Sequence, residues 1–379
     1  MIHQSPCKND QLSTDAPLFR FFGAHPREDG VVFRLLAPGA EQISVCGDFN
    51  GWDVLRHPMQ QALRDGVWEL YLKQKGLLGS RYKFFVQGKG GGAFKSDPFG
   101  FEEENNENGA SVITNLWEYP WRDGGWMQYR KQQDLKEAML IYRVDARWWR
   151  RHGDGSPYNY GELASELIPY AKQMGYTHVA LFGVAGGLCD ALGTPDALYA
   201  PGPRLGKPWE LMALVDSMHE AGLGVIFGWC PTSFLACEHG LGALDDTPFY
   251  EKSAAGIKRA FDLQRAEVRD YLIANAEFWV TQYHVDGLWI DGASADPDEA
   301  DFWRTLQEIF KDGYPDVMLL SGTASIRSTL MGSEFGDPWT TGCERPLAWE
   351  LLSQNMHAAK QLCEAEQNHS YLSRTRRAQ

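Results

Sequence analysis

Asp216, His284 and Asp286 carry the side chains that general acid/base chemistry uses, carboxylates and an imidazole able to hold or release a proton, and taken in isolation they look catalytic. The cysteines add no metal chemistry. Cys7, Cys46, Cys189, Cys230, Cys237, Cys343 and Cys363 fall at irregular positions with no close CxxC pair and no Cys/His grouping at zinc spacing, so no metal and no other cofactor is expected. Aromatic residues are the stronger chemical signal. Fourteen tryptophans and fifteen tyrosines supply flat apolar faces of the kind that stack on sugar rings, although most must serve core and turns.

Composition limits the partners. Lys plus Arg is 36 against Asp plus Glu 50, a formal charge of -14, which argues against nucleic acid or another polyanion. The longest apolar stretch, Leu211 to Trp229, is interrupted by Asp216, His219 and Glu220 and is too polar for a membrane span. Residues 1–15 lack the layout of a signal peptide, and a soluble, cytoplasmic protein is expected. A length of 379 residues suggests about two domains.

The elements that must position these residues come in two styles. Val31–Leu35, Gln42–Val45, Val67–Leu72 and Tyr82–Val86 alternate apolar and polar residues between Gly, Pro, Asn and Asp, as short strands of a β-sandwich do. Tyr119 to Glu137 has no sustained period and reads as a connector packed across two domains. Beyond Met139, strands at Leu140–Val144, Val179–Phe182, Gly224–Trp229, Gly287–Ile290 and Val317–Leu320 alternate with helices at Tyr160–Met174, Pro208–Ala221, Arg265–Tyr283 and Pro297–Phe310. Repeated βα units imply a parallel sheet under helices. A doubly wound sheet and a TIM barrel both fit; the lack of a Gly-rich phosphate loop after the first strand leaves the barrel ahead.

Several motifs then match a family. Gly47-Asp48-Phe49-Asn50-Gly51-Trp52-Asp53, Arg56-His57-Pro58-Met59, Gly66-Val67-Trp68-Glu69 and Lys95-Ser96-Asp97-Pro98 resemble the family 48 carbohydrate-binding module found in front of glycogen branching enzymes. Gly175-Tyr176-Thr177-His178, Val215 to Gly222, Glu238-His239-Gly240-Leu241, and Glu267-Val268-Arg269 through His284-Val285-Asp286-Gly287-Leu288 resemble the barrel of those enzymes, in glycoside hydrolase family 13. The resemblance implies a multidomain fold: an N-terminal immunoglobulin-like β-sandwich followed by an incomplete TIM (β/α) barrel. The expected layout is a flexible N-terminus over 1–18, the sandwich over 19–118, the connector over 119–138, the partial barrel over 139–345, and a C-terminal helix and tail over 346–379. In the module the resemblance implies an α-glucan surface with Trp52 as a stacking platform, Lys83 as a donor to sugar hydroxyls and Phe94 as a second aromatic, while Trp68 in its alternating strand is core.

The resemblance also implies a retaining mechanism, in which a carboxylate nucleophile and a carboxylic acid lie about 5 Å apart across the sugar. Asp291 matches the nucleophile, but Trp289 stands where the family has an arginine that would hold the aspartate ionised. The acid's position is Gly322, which has no proton to donate. The third-strand aspartate and histidine correspond to Gly228 and Ser233, and the stacking tyrosine falls near Gly193. Only Asp291 survives. Barrel strands seven and eight and the late His-Asp pair are expected to be missing from a chain that stops at Gln379, and Phe335-Gly336-Asp337-Pro338-Trp339 reads as a decayed sixth strand. Each lost group is typically worth about 10²- to 10⁴-fold in rate, so turnover is expected to be negligible. Glu334, Glu299 and Asp298 are the candidate substitute acids. Asp286, His284, Asp216, His219 and His239 fall in segments that hold helix and strand ends together in the family and read as scaffold.

The expected function is a branching-enzyme-like, catalytically inactive protein that binds α-glucan (glycogen, starch, amylose). Two alternatives stand beside it: an active 1,4-alpha-glucan branching transferase with a relocated acid, and a regulatory or scaffold partner of a true branching enzyme. An open strand edge should be covered by Arg345 to Glu366 or paired in a homo-oligomer.

Overall fold

The computed structural model describes residues 17–62, 65–132, 139–186, 196–253, 256–290, 297–321, 328–335, 337, 347–349, 351–352, 355–356 and 359–361. Its first part contains β1 (Gly23–Arg27), β2 (Gly30–Leu36), β3 (Gln42–Gly47), β4 (Gln60–Gln61), β5 (Val67–Leu72), β6 (Arg81–Gly88), β7 (Gly91–Lys95) and β8 (Ser111–Val112). They form two antiparallel sheets, β1-β2-β5-β4 and β3-β6-β7, with β8 also on β6. The period-2 pattern of β6 turns Tyr82, Phe84 and Val86 inward against Phe33 and Val45. Trp68 is buried as well, its indole donating to the Ala37 carbonyl. β1 and β7 have no alternating apolar signature, since they hold His25-Pro26 and Gly91-Gly92; the neighbouring strands β2 and β6 fix them as strands.

The connector, which shows no period in sequence, contains the short helix α1 (Gly124–Arg130). There follow β9 (Ile141–Asp145), α2 (Tyr160–Gln173), β10 (His178–Phe182), α3 (Pro208–Glu220), β11 (Gly224–Trp229), the antiparallel ribbon β12 (Ser233–Leu235) and β13 (Lys258–Ala260), α4 (Ala266–Gln282), β14 (Gly287–Ile290), α5 (Pro297–Gly313), β15 (Met318–Ser321) and β16 (Ser328–Leu330). Asn159 and Glu162 cap α2 reciprocally, Asn159 Oδ1 accepting from Glu162 N at 2.9 Å and Glu162 Oε2 from Asn159 N at 2.8 Å. The six-stranded sheet is parallel throughout, in the order β15-β14-β11-β10-β9-β16. Tyr142, Val144, Val179, Leu181, Val225, Phe227 and Leu288 lie under the helices, while Ile141, Ala180, Ile226, Trp289 and Met318 make a separate small cluster on the concave face.

This is an incomplete TIM barrel. The last strand returns to the first, as in a closed barrel, but β15 and β16 remain the two edges of the sheet among the described residues. The sixth strand is Ser328–Leu330 rather than Phe335–Trp339: Ser333–Phe335 is a 3-10 turn, and Gly336, Pro338 and Trp339 lie outside the described residues. Thr329 fits a pleated strand, whereas a stretch with glycine and proline does not. Of Arg345 to Glu366, the described pieces pack beside the β16 end of the sheet, where the Trp349 indole donates to the Trp149 carbonyl at 2.8 Å and its ring lies 5.1 Å from that of Trp149. No helix among the described residues is long and apolar enough to cross a membrane.

Buried polar bonds join the connector to the N-terminal end of this sheet. His219, at the end of α3, places Nδ1 2.9 Å from Asp123 Oδ2 and Nε2 3.1 Å from Asp286 Oδ2. An imidazole facing carboxylates through both nitrogens donates both protons and is charged. Asp123 also takes His284 Nδ1 at 2.8 Å, and Asp286 accepts from Val225 N at 2.6 Å and Trp126 Nε1 at 2.8 Å. Asp216 accepts Arg122 N and Nε, both at 3.0 Å. Asp216, His284 and Asp286 therefore sit at the pole opposite the strand C-termini, where barrel active sites lie, and act as scaffold.

Burial disfavours the charged form of His219, yet the hydrogen bonds it donates to Asp123 and Asp286 hold its pKa above the ordinary value; despite their own burial, both carboxyls are held below the usual carboxylate range by His219, with His284 adding to this at Asp123 and Arg130 at Asp286. The raised histidine stabilises the fold below its unfolded value of about 6.5 and loses that contribution as pH rises through its folded value; the depressed aspartates contribute above about 3.9 and lose it as pH falls through their folded values. His219→Gln should therefore cost about 3 kcal/mol of unfolding free energy near pH 6, a difference that shrinks as the pH rises, read from urea midpoints of both proteins across pH.

Candidate functional site

Trp52 stands in a loop that the backbone holds against its own preference. A short 3-10 helix, Asp48–Asn50, is followed by Gly51 at φ 65° and Trp52 at φ 62°, a left-handed conformation that is costly for a tryptophan. Buried Asn50 fixes the turn: its Oδ1 accepts Gly47 N at 2.9 Å and Trp52 N at 3.1 Å, and its Nδ2 donates to the Val45 carbonyl at 3.0 Å. The result is a half-buried indole on the outer side of the sandwich. Phe94 of β7, 37% exposed, lies opposite Phe85 in register, and its ring centroid is 6.5 Å from that of Trp52 with the planes 70° apart. The two rings make an angled corner rather than one flat plate.

A polar rim adjoins that corner. Arg81 binds Asp48 through Nε and Nη2 and reaches Glu104 with Nη1 at 2.6 Å, while Trp52 Nε1 donates to Asp48 Oδ1 at 3.3 Å. The Arg81 hydrogen bonds hold the Asp48 carboxyl below the usual range. Lys83 shares the outer face of β6 but not its exposure. It is 8% exposed and its ammonium donates to the Asn108 carbonyl, and burial lowers its pKa. The barrel covers this part of the sheet: Lys95 Nζ donates to the Glu238 and Gly242 carbonyls, both at 2.8 Å, and Ser96 N to the His239 carbonyl at 2.7 Å. Trp52 and Phe94 are thus brought together in the open, and Lys83 is set beneath a loop.

On the concave face of the parallel sheet, aromatic rings surround Gly228 and Trp289, the two described positions there that the resemblance assigns to sugar chemistry. Gly228 has no room for a side chain, since a Cβ there would meet Phe182 Cδ1 at 2.4 Å. Trp289 is buried against Phe182, with ring centroids 6.1 Å apart, and the Arg143 guanidinium lies 4.8 Å over the Trp289 ring. Sequence reasoning missed Arg143 and Phe182. The only local signal was a cation inside the apolar run Leu140–Val144. Ser233 is buried in β12. Asp291, Gly322 and Gly193 lie outside the described residues, Asp291 directly after β14.

The substitute acids are otherwise engaged or undescribed. Glu334 is buried on the helix side of the sheet, where its Oε1 accepts from Tyr142 and Tyr170 hydroxyls at 2.7 Å each, and burial raises its pKa. Glu299 accepts from Trp303 Nε1 at 3.3 Å, and the Asp298 side chain lies outside the described residues.

Comparison with known proteins agrees with this two-part picture. Residues 21–100 match carbohydrate-binding module 48, the isoamylase N-terminal domain. A 1,4-alpha-glucan branching enzyme GlgB from Rubrobacter xylanophilus is 41% identical over 299 residues, covering 73% of this chain and 40% of that protein. The chain therefore spans less than half the length of that relative. Among solved structures, a putative alpha amylase from Salmonella typhimurium superposes with a TM-score of 0.62 at 22% identity over 83% of this chain and 54% of its own. A pullulanase from Bacillus acidopullulyticus does so at 0.64 and 18% identity, over 80% of this chain and 42% of its own. These two show the shared fold.

The Gly228 contact is open to a direct test. Gly228→Ala should destabilise the protein by about 1–3 kcal/mol, because Phe182 blocks the new methyl group. In a Phe182→Ala background the same change should cost little, and a double-mutant cycle by urea unfolding measures the coupling.

Proposed function

From a chain that is branching-enzyme-like, of glycoside hydrolase family 13 and with a family 48 carbohydrate-binding module over residues 21–100, we propose that this protein binds an α-glucan through Trp52 and Phe94 and does not turn it over. The observation that carries the binding half is the strained Trp52. A tryptophan held at positive φ by Asn50, partly open to solvent beside a second exposed aromatic, costs stability that a merely structural residue would not require. Each ring can stack on the apolar face of one sugar, and the 70° between them suits a chain whose successive residues bend, as α-linked glucose does. Asp48, Arg81 and Glu104 supply acceptors and donors for hydroxyl groups at the rim. Lys83 acts underneath, holding the Asn108 segment rather than the sugar.

The silent half rests on the concave face. Phe182 occupies the space beside Gly228, Trp289 and Arg143 fill the neighbouring positions, and Glu334 is clasped by two tyrosines on the far side of the sheet. Asp291 would then be a nucleophile without a partner acid, Gly322 having replaced it.

Affinity electrophoresis in gels containing glycogen or amylose, with a branching assay on the same samples, tests both halves. The parent protein should be retarded, Trp52→Ala and Phe94→Ala should each weaken binding about tenfold, and no branching should be seen. Turnover abolished by Asp291→Ala would replace the silent reading with an active branching transferase using a relocated acid. Absence of glucan binding would leave a non-catalytic partner of a branching enzyme as the better reading.

A further inference from the structure

Where the sandwich meets the barrel, side chains from three separate stretches converge. Asp196 precedes α3, and Cys237 and His239 lie in the loop between β12 and β13; one carboxylate oxygen, the sulfur and one ring nitrogen all lie within 4.8 Å of one another. Cys237 Sγ is 3.3 Å from Asp196 Oδ2, so the carboxylate points into the group. Asp196 is only 6% exposed, yet its Oδ1 has no hydrogen-bond partner. Glu103, from the sandwich, is equally buried and leaves Oε2 unpartnered. Gly109 explains how Glu103 and His239 share this space: at φ +57°, a Cβ on it would lie 2.2 Å from His239 Nε2 and 2.9 Å from Glu103 Oε1. Buried carboxylate oxygens without donors are costly, and a bound cation would satisfy them.

We propose that Asp196, Cys237 and His239, with Glu103 as the fourth donor, bind one Zn²⁺ ion that fastens the sandwich to the barrel. The donor set decides the metal. One sulfur, one imidazole nitrogen and carboxylate oxygens suit zinc, whereas calcium and magnesium take oxygen alone. Tetrahedral zinc sets its donors about 3.3–3.8 Å apart, so the three grouped atoms need to close by about 1.5 Å at most. Charge is balanced too, because a divalent ion and the nearby Lys83 ammonium offset two carboxylates and a thiolate. The site joins the Glu103 segment to the β10–α3 connection and the β12–β13 loop, so ion binding adds to the docking already made by Lys95 and Ser96. It also reverses the sequence reading, in which His239 was scaffold and no metal was expected.

The full chain, stripped with chelator and re-titrated with Zn²⁺ alone against a chromophoric chelator, should bind one equivalent and melt at a higher temperature when loaded. Co²⁺ in place of zinc should give the visible bands of a tetrahedral site and a thiolate charge-transfer band in the near ultraviolet. Cys237→Ser should abolish the charge-transfer band, and Asp196→Asn and His239→Ala should each weaken zinc by more than about 100-fold, beyond the usual effect of an outer-shell partner. Cys46→Ser and Cys230→Ser should leave the band intact. Failure to take up stoichiometric zinc, a band that persists in Cys237→Ser, or parental affinity in the isosteric Asp196→Asn would each overturn the proposal.

Discussion

The charged His219 side chain, held between Asp123 and Asp286, is the contact on which the arrangement of the two halves depends. Asp123 belongs to the connector, His219 to the end of α3, and Asp286 immediately precedes β14. One imidazolium thus ties the chain leaving the sandwich to helix α3 and to the start of β14. Trp126 stacks on the same ring at a centroid distance of 5.2 Å and 13° between planes, shielding it from water. Removing any one of the three ionised groups would leave the others buried without full compensation, which is why such a network specifies one docking geometry even though apolar packing could serve stability as well. A second set of docking contacts, Lys95 on the Glu238 and Gly242 carbonyls, holds the sandwich elsewhere on the barrel.

The two faces of the sheet are governed by different demands. Under the helices, large aromatic and aliphatic side chains form a core continuous with that of the sandwich, including Phe99 against Tyr199 at 4.8 Å. On the concave face the strands carry only a small apolar cluster, and Arg143 takes a place among aromatic rings. Among the described residues this face is apolar as well: Trp289, Phe182 and the Arg143 guanidinium pack on one another.

Much of this was legible in the residues. Gly224–Trp229, Gly287–Ile290 and Val67–Leu72 have the same limits in sequence and structure, because continuous or alternating apolar runs between turn residues leave little choice. β1, β7 and β16 were illegible, since their strand character comes from partners and not from their own side chains. For the binding face, Trp52 and Phe94 could be named from motif and position, but the covering of Lys83 could not: alternation correctly turns it outward, and the Asn108 segment, far along the chain, takes its ammonium beside the barrel loop that carries Glu238 and His239. Asp123 and Glu103 went unnoticed for a similar reason. Their partners are distant in the chain, and no local spacing joins them.

The close fit of Phe182 to Gly228 has a historical side. A carboxylate could be accommodated at position 228 only after Phe182 had become smaller, because the ring and the new side chain would claim the same volume. The two changes are therefore ordered, and the first alone would leave a void beside Trp289. Any route that places a side chain at position 228 must cross a less stable intermediate, so the packed concave face works as a ratchet.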